Sequence, residues 1–158
     1  MVPLSQNNRT AASVAEEVVR TVGGIILERF REAIGTKPKR SVQVSPKAIN
    51  DLVTDVDLAA ERVAIRILES EFPDFGILAE ESGTRDGNEF SWVLDPLDGS
   101  RNFAYGIPQF AVSLALCKGE ESLLGAIYDP CRDELFTTAL GHGSYLNGEP
   151  LAVLSVKT

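Results

Sequence analysis

The spacing of hydrophobic residues divides the chain into a helical first part and a strand-rich second part. Between residues 11 and 34, valines, isoleucines and Phe30 recur every three or four positions, which is the period of an amphipathic helix. Apolar residues share one face again between Thr54 and Phe72, and Pro73 would end that second helix. The pattern therefore predicts two helices before any strand.

Local signals mark the ends of these helices. Gly35 is well placed to end the first helix, and the pair Gly23-Gly24 inside it indicates either a kink or close packing. Thr54 and Asp57 have the spacing of a capping box, which would place Thr54 at the start of the second helix. The basic, proline-containing stretch between the helices is predicted to be a loop with a possible short strand at 41–44.

The period changes from 3.6 to 2 after Pro73, as expected for strands. Short connections and the Asn147-Gly148 hairpin signal favour antiparallel neighbours. We therefore predict an α+β fold in which two helices pack on a mainly antiparallel sheet, with a buried stripe along Phe110–Leu116. The predicted strands are 76–80, 91–95, 110–118, 123–129, 134–139 and 144–146.

Composition narrows the possible functions. A chain of 158 residues fits a single domain, residues 1–158, with a real hydrophobic core. The formal net charge of -8 argues against nucleic acid and anionic membranes as partners, because lysines and arginines supply most of that affinity. If the protein handles a phosphate, a bound metal ion is the obvious local source of positive charge.

Cysteine and histidine are too few for a disulfide framework or a zinc site. Cys117 and Cys131 are the only cysteines, and His142, between two glycines, is predicted to be a turn residue. The sequence contains no signal-peptide pattern and no apolar run of membrane-spanning length. A cytoplasmic location is the default expectation.

Acidic residues cluster where hydrophobic runs stop. They lie in DLVTDVD (51–57), in ILAEES (77–82) and in WVLDPLDGS (92–100). Carboxylates brought together at one edge of a sheet repel one another unless a cation or a proton compensates. Mg²⁺ is the economical cation, since it prefers hard oxygen ligands.

The DPLDGS stretch is open to two interpretations. Pro96 could orient Asp95 and Asp98 toward one point, with the amides of Gly99 and Ser100 donating to a phosphate at a helix start. The same residues are also good turn formers.

Ordinary structural roles are open for the other candidates as well. Asp57 could be only a helix cap, Glu80 and Glu81 a solvated strand end, and Lys47 a loop lysine. The joint occurrence of several acidic groups in order favours a functional site.

These segments together resemble the inositol monophosphatase family, the Mg²⁺-dependent and often lithium-sensitive sugar-phosphate phosphatases. The similarity runs from about residue 12 to 155 and includes DLVTDVD, ILAEES, WVLDPLDGSRNF and GIPQFAVSLAL. It implies the N-terminal half of that family's layered fold, with a dimer as a possible assembly.

The resemblance also implies a role for each matching residue. Glu80, Asp95 and the Leu97 carbonyl would bind the first Mg²⁺, and Asp95 and Asp98 would contribute to a second, in a site of roughly two or three ions. The catalytic residues would be Asp57, Glu80 and Ser100, which would polarise a metal-activated water. Asp98, Gly99 and Ser100 would bind the phosphate.

The resemblance covers only the first half of the family pattern, and the family's second half has no counterpart in this sequence. The family's WDxAA-like segment, which supplies another aspartate to the second metal, has no counterpart, since Trp92 is the only tryptophan. We expect a phosphomonoesterase for a small sugar or polyol phosphate that is weakly active or inactive in this chain alone. Alternatives are fructose-1,6-bisphosphate, histidinol phosphate or 3'-phosphoadenosine nucleotide specificity, or a non-catalytic metal-binding module.

Overall fold

The computed structural model describes residues 2–35 and 46–152, with the side chains of residues 46–54 outside the description. Within these ranges, three helices accompany one eight-stranded sheet, which confirms the predicted α+β fold. The helices are α1 (Ala11–Gly35), α2 (Pro46–Glu71) and α3 (Ser100–Ala104). The strands are β1 (Gly76–Ala79), β2 (Gly83–Arg85), β3 (Phe90–Asp98), β4 (Ala111–Lys118), β5 (Glu121–Asp129), β6 (Glu134–Ala139), β7 (Gly143–Leu146) and β8 (Glu149–Pro150).

Helix α1 matches its prediction, including the end at Gly35. Its apolar stripe is buried against α2 and the sheet, and it continues through the two glycines without a break. A Cβ at Gly23 would lie 2.5 Å from Cδ1 of Tyr128, whereas one at Gly24 would meet nothing within 4 Å. Close packing of Tyr128, rather than a kink, is therefore the role of Gly23.

Helix α2 begins at Pro46, so the predicted start at Thr54 and the capping box with Asp57 are wrong. Proline suits a first helical turn because its φ is preset and its missing N–H needs no partner there. Lys47 accordingly belongs to this helix rather than to a loop, and the possible strand at 41–44 lies outside the described residues. The predicted end is confirmed, since α2 finishes at Glu71, just before Phe72 and Pro73.

The sheet has the strand order β2-β1-β3-β4-β5-β6-β7-β8. Every neighbouring pair is antiparallel except β1 and β3, which run parallel. The sequence predicted neither this parallel pair nor the short edge strands β2 and β8. The Asn147-Gly148 hairpin is confirmed, with both residues at positive φ (49° and 83°) between β7 and β8.

Strand β3 continues to Asp98, three residues beyond its predicted end. Its register against β4 shifts between Asp95 and Asp98. Pro96 lies at this shift because it has no N–H to donate to the ladder. The DPLD segment is thus an irregular strand end, and not a tight turn between a strand and a helix.

The two faces of the sheet differ in burial. Phe110, Val112, Leu114 and Leu116 are at most 4% exposed on the face covered by α1 and α2, which confirms the predicted stripe. Rings from α1, α3 and the segment before β4 add to this core through contacts among Phe30, Phe103 and Phe110. On the other face, Leu78, Val93 and Ile127 remain 37–46% exposed.

Two other expectations agree with the described part of the chain. Cys117 and Cys131 are free thiols, and His142 lies in the turn between β6 and β7. Among the described helices, none combines the length and the apolar character needed to cross a membrane.

Candidate active site

The parallel pairing of β1 and β3 brings together the first two acidic residues of the site. Ala79, the last residue of β1, pairs with Leu94 inside β3, so Glu80 and Asp95 follow at neighbouring positions. The Glu80 carboxyl lies close enough to Asp95 to raise its pKa. Two segments separated by 15 positions in sequence thus form one carboxylate pair at the sheet edge.

Burial and neighbouring carboxylates raise the pKa of Asp95 from 3.8 to about 6. The neighbours are Glu80 and Asp98, both of which disfavour a second negative charge at this position. Asp95 also accepts a hydrogen bond at Oδ1 from the Leu97 amide (3.1 Å), which acts in the opposite direction. Asp95 therefore lies close to both Glu80 and Asp98.

Asp57 approaches this pair from helix α2. It occupies the buried face of the helix and is 7% exposed. Burial raises the pKa of Asp57 from 3.8 to about 7, with further contributions from Glu81, Glu80, Asp95 and Glu61. Asp57 is therefore part of the acidic site, and its position inside α2 excludes a role as the helix cap.

Gly99 lies between β3 and the short helix α3 and is the N-cap residue of that helix. Its φ of 88° lies in the left-handed region, and a Cβ there would come 2.9 Å from the Gln109 carbonyl oxygen. The Gly99 carbonyl accepts the Phe103 amide at 3.1 Å, which closes the first helical turn. The expected helix start at Ser100 is confirmed, and its first amides have no acceptor within the helix.

Ser100 is half-buried and lies next to the acidic residues in sequence. Among the side chains that the structure describes, it makes no hydrogen bond to Asp57. The pairing of Ser100 with Asp57 on one water molecule stays a prediction. The same holds for the phosphate-binding roles of Asp98 and Gly99.

Sequence analysis missed one carboxylate close to this site, that of Glu61. It is 2% exposed on α2 and accepts two hydrogen bonds, from the Glu81 amide (2.8 Å) and the Ser82 amide (2.9 Å). The available signal was its place in the apolar stripe of α2 beside Ala60, Ala64 and Leu68, where an acidic residue needs a buried partner.

The donor set is suited to a hard cation. In the described part of the chain, no three Asp, Glu, His or Cys side chains converge as a ready-made metal-binding group. Mg²⁺ does not require three, since it is usually held by one or two carboxylates while water and phosphate oxygens complete its shell. The Glu80–Asp95 pair could provide such carboxylates, and among the described residues the side chains that raise the pKa of Asp95 are both carboxylates.

Comparisons with known proteins point to one family. The profile of the Inositol monophosphatase family matches residues 7–158. An inositol monophosphatase of Dictyostelium discoideum is 42% identical over 148 residues, with coverage of 90% of this chain and 52% of the relative. The Nus factor SuhB of Haemophilus influenzae is 36% identical over 143 residues, with coverage of 89% and 51%.

Solved structures show the same similarity. The crystal structure of the extragenic suppressor protein suhB from Bartonella henselae superimposes with a TM-score of 0.76 at 32% identity, covering 89% of this chain and 52% of that one. The chain therefore spans about half the length of the relatives that it matches.

Proposed function

The chain belongs to the inositol monophosphatase family, and on that premise we propose that it is part of a Mg²⁺-dependent phosphomonoesterase for a small sugar or polyol phosphate. The observation that carries the proposal is the placement of Glu80 and Asp95 directly after the last paired residues of β1 and β3, with the buried Asp57 close to both. Acidic residues this close destabilise a fold unless a cation or a proton compensates them, and a bound cation would do so.

The metal ligands that we propose are Glu80, Asp95, the Leu97 carbonyl and Asp98. When bound, Mg²⁺ would neutralise phosphate charge and make a coordinated water more acidic. The net charge of -8 is consistent with this proposal, because the bound ion and not basic side chains would supply the positive charge that meets the anionic substrate.

Asp57 and Ser100 are the residues that we propose act on the attacking water. The Asp57 carboxylate would accept a proton from that water, and the Ser100 hydroxyl would orient it, with Glu80 assisting. The Gly99 and Ser100 amides would donate to phosphate oxygens, as the unpaired amides of a helix start do. Asp98 lies next to those amides and would complete the substrate-binding corner.

The length of the chain bears on how much activity to expect. The relatives named above are about twice as long as this chain. Their additional residues can make contacts with the substrate that residues 1–158 do not provide. We expect weak binding of a second metal ion and poor turnover by residues 1–158 alone. The choice among inositol monophosphate, fructose-1,6-bisphosphate, histidinol phosphate and 3'-phosphoadenosine nucleotide would depend on those further contacts.

Calorimetric titration with Mg²⁺ followed by a phosphate-release assay tests the proposal. Asp95→Asn should weaken Mg²⁺ binding at least tenfold, because it removes a charge that is central to the donor set. Asp86→Asn is the matched control, since Asp86 is exposed and follows β2 at the opposite end of the strands. Phosphate release from a panel of sugar phosphates should require Mg²⁺ and disappear in Asp95→Asn.

Activity that survives Asp95→Asn unchanged would refute the metal-dependent mechanism. Absence of Mg²⁺ binding by both this chain and a full-length relative would favour a structural role for the acidic residues.

A second candidate is a non-catalytic, metal-binding partner protein. The name Nus factor, carried by the Haemophilus influenzae relative, states no phosphatase activity for that protein. Mg²⁺ binding without phosphate release, in a chain extended to the length of its relatives, would support this candidate. For either function we propose a cytoplasmic protein that assembles as a homodimer and makes no direct contact with nucleic acid or membranes.

A further inference from the structure

We infer that Glu61 is a positioning residue that holds the turn 80–82 so that the Glu80 carboxylate faces Asp95. The hydrogen bonds from the turn to Glu61 are the geometric basis of this inference. Its effect on Mg²⁺ binding rests on the proposed function. Glu61 lies on α2, whereas the turn connects β1 to β2 at the sheet edge. The contact therefore couples the helix that carries Asp57 to the turn that carries Glu80.

Both oxygens of Glu61 are used in this contact. Oε2 accepts the Glu81 amide at 2.8 Å, and Oε1 accepts the Ser82 amide at 2.9 Å. Hydrogen bonds from two successive amides to one carboxylate define both the position and the orientation of the peptide units between them. The Glu80 side chain branches from the residue just before these amides, so its direction depends on them.

The side chains of the turn are exposed and do not define its conformation by packing. Glu80, Glu81 and Ser82 are all exposed, while Glu61 is 2% exposed. The backbone of the turn is thus held in place by hydrogen bonds to a buried carboxylate on α2. A buried charge of this kind is costly unless it is fully hydrogen-bonded, which accounts for the use of both oxygens.

Glu71 provides a matched control on the same helix. It is also buried, at 7% exposure, and its Oε1 accepts hydrogen bonds from Asn7 (3.2 Å) and Arg9 (3.3 Å). These contacts anchor the N-terminal segment at the C-terminal end of α2, away from the turn 80–82. Glu71→Gln therefore measures the general cost of disturbing a buried carboxylate without touching the turn.

Amide hydrogen exchange without metal tests the geometric part. In Glu61→Asp the charge is kept, but the side chain is about 1.5 Å shorter and cannot reach both amides. In Glu61→Gln the reach is kept, but one amide hydrogen must face an NH₂ group. Exchange at Glu81 and Ser82 should accelerate at least tenfold in both variants and stay unchanged in Glu71→Gln.

Mg²⁺ titration by calorimetry tests the functional part. Both Glu61 variants should bind Mg²⁺ about tenfold more weakly, as for other residues that orient a metal ligand, whereas Glu71→Gln should bind like the unsubstituted chain. Glu61→Asp separates positioning from charge, since a purely electrostatic role predicts unchanged Mg²⁺ affinity in that variant.

Two outcomes would overturn the inference: unchanged Glu81 and Ser82 exchange in Glu61→Asp, or unchanged Mg²⁺ affinity in the same variant. The exchange measurement stands apart from the proposed function, which fails on its own if the unsubstituted chain binds no Mg²⁺.

Discussion

The carboxyl group of Asp57 is held close to other negative charges, and its replacement by the isosteric Asn should show how much stability this costs. Burial and four acidic neighbours raise its pKa from 3.8 to about 7. A folded-state pKa above the unfolded value means that the folded chain binds the proton more tightly. Below the unfolded pKa the group is protonated in both states and costs nothing. The cost grows as the pH rises and is complete above the folded pKa.

The pKa difference sets an upper limit for the effect. A shift from 3.8 to about 7 corresponds to about 4 kcal/mol, at 1.36 kcal/mol for each unit. Solvent screening and titration of the neighbouring carboxylates reduce this value, so we expect Asp57→Asn to stabilise the fold by about 1–2 kcal/mol near pH 8. Near pH 4 the same substitution should leave the free energy of unfolding nearly unchanged.

Urea unfolding at the two pH values, followed by circular dichroism, measures the difference. Asp55→Asn is the control, because Asp55 lies two residues away on α2 but is exposed. Its effect should stay within about 0.5 kcal/mol at both pH values. If Asp57→Asn raised the free energy of unfolding equally at both pH values, or lowered it near pH 8, the reasoning would be refuted. The stabilised variant should also lose Mg²⁺-dependent activity, as expected when a functional site carries strain.

Three glycine substitutions give further predictions, all measured as changes in the urea midpoint. Gly99→Ala should destabilise by about 1–3 kcal/mol, because its φ of 88° disfavours an L residue and a Cβ would meet the Gln109 carbonyl. Gly23→Ala should cost about 1–3 kcal/mol by overpacking Tyr128, whereas Gly24→Ala should stabilise by about 0.5–1 kcal/mol through helix propensity. A tolerated Gly99→Ala, or the reverse order for Gly23 and Gly24, would contradict these contacts.

Short-range patterns in the sequence were sufficient for most of the fold. The apolar period placed α1 within one residue of its observed bounds, and alternation placed six of the eight strands. Such patterns work because a helix or a half-buried strand exposes its period directly in the order of its residues. Strands β2 and β8 escaped because three and two residues are too few to show any period.

The start of α2 shows where a local signal misleads. Thr54 and Asp57 have the spacing of a capping box, but the helix already runs from Pro46. Spacing alone does not distinguish a capping box from the same two residues inside a longer helix, because polar residues occur in both places. The corrected helix start changes the interpretation of Asp57. At a helix end Asp57 could be only a cap, whereas on a buried helix face its carboxyl group needs another explanation.

The sequence by itself determined which residues are candidates for the chemistry of this protein: the acidic segments and the glycine after Asp98 are readable without a structure. Only the tertiary structure decided which of them meet. Glu80 and Asp95 become neighbours because β1 and β3 pair in parallel, and Glu61 joins them through two backbone amides across the fold. Neither contact leaves a periodic trace along the chain, because each depends on the pairing of segments distant in sequence.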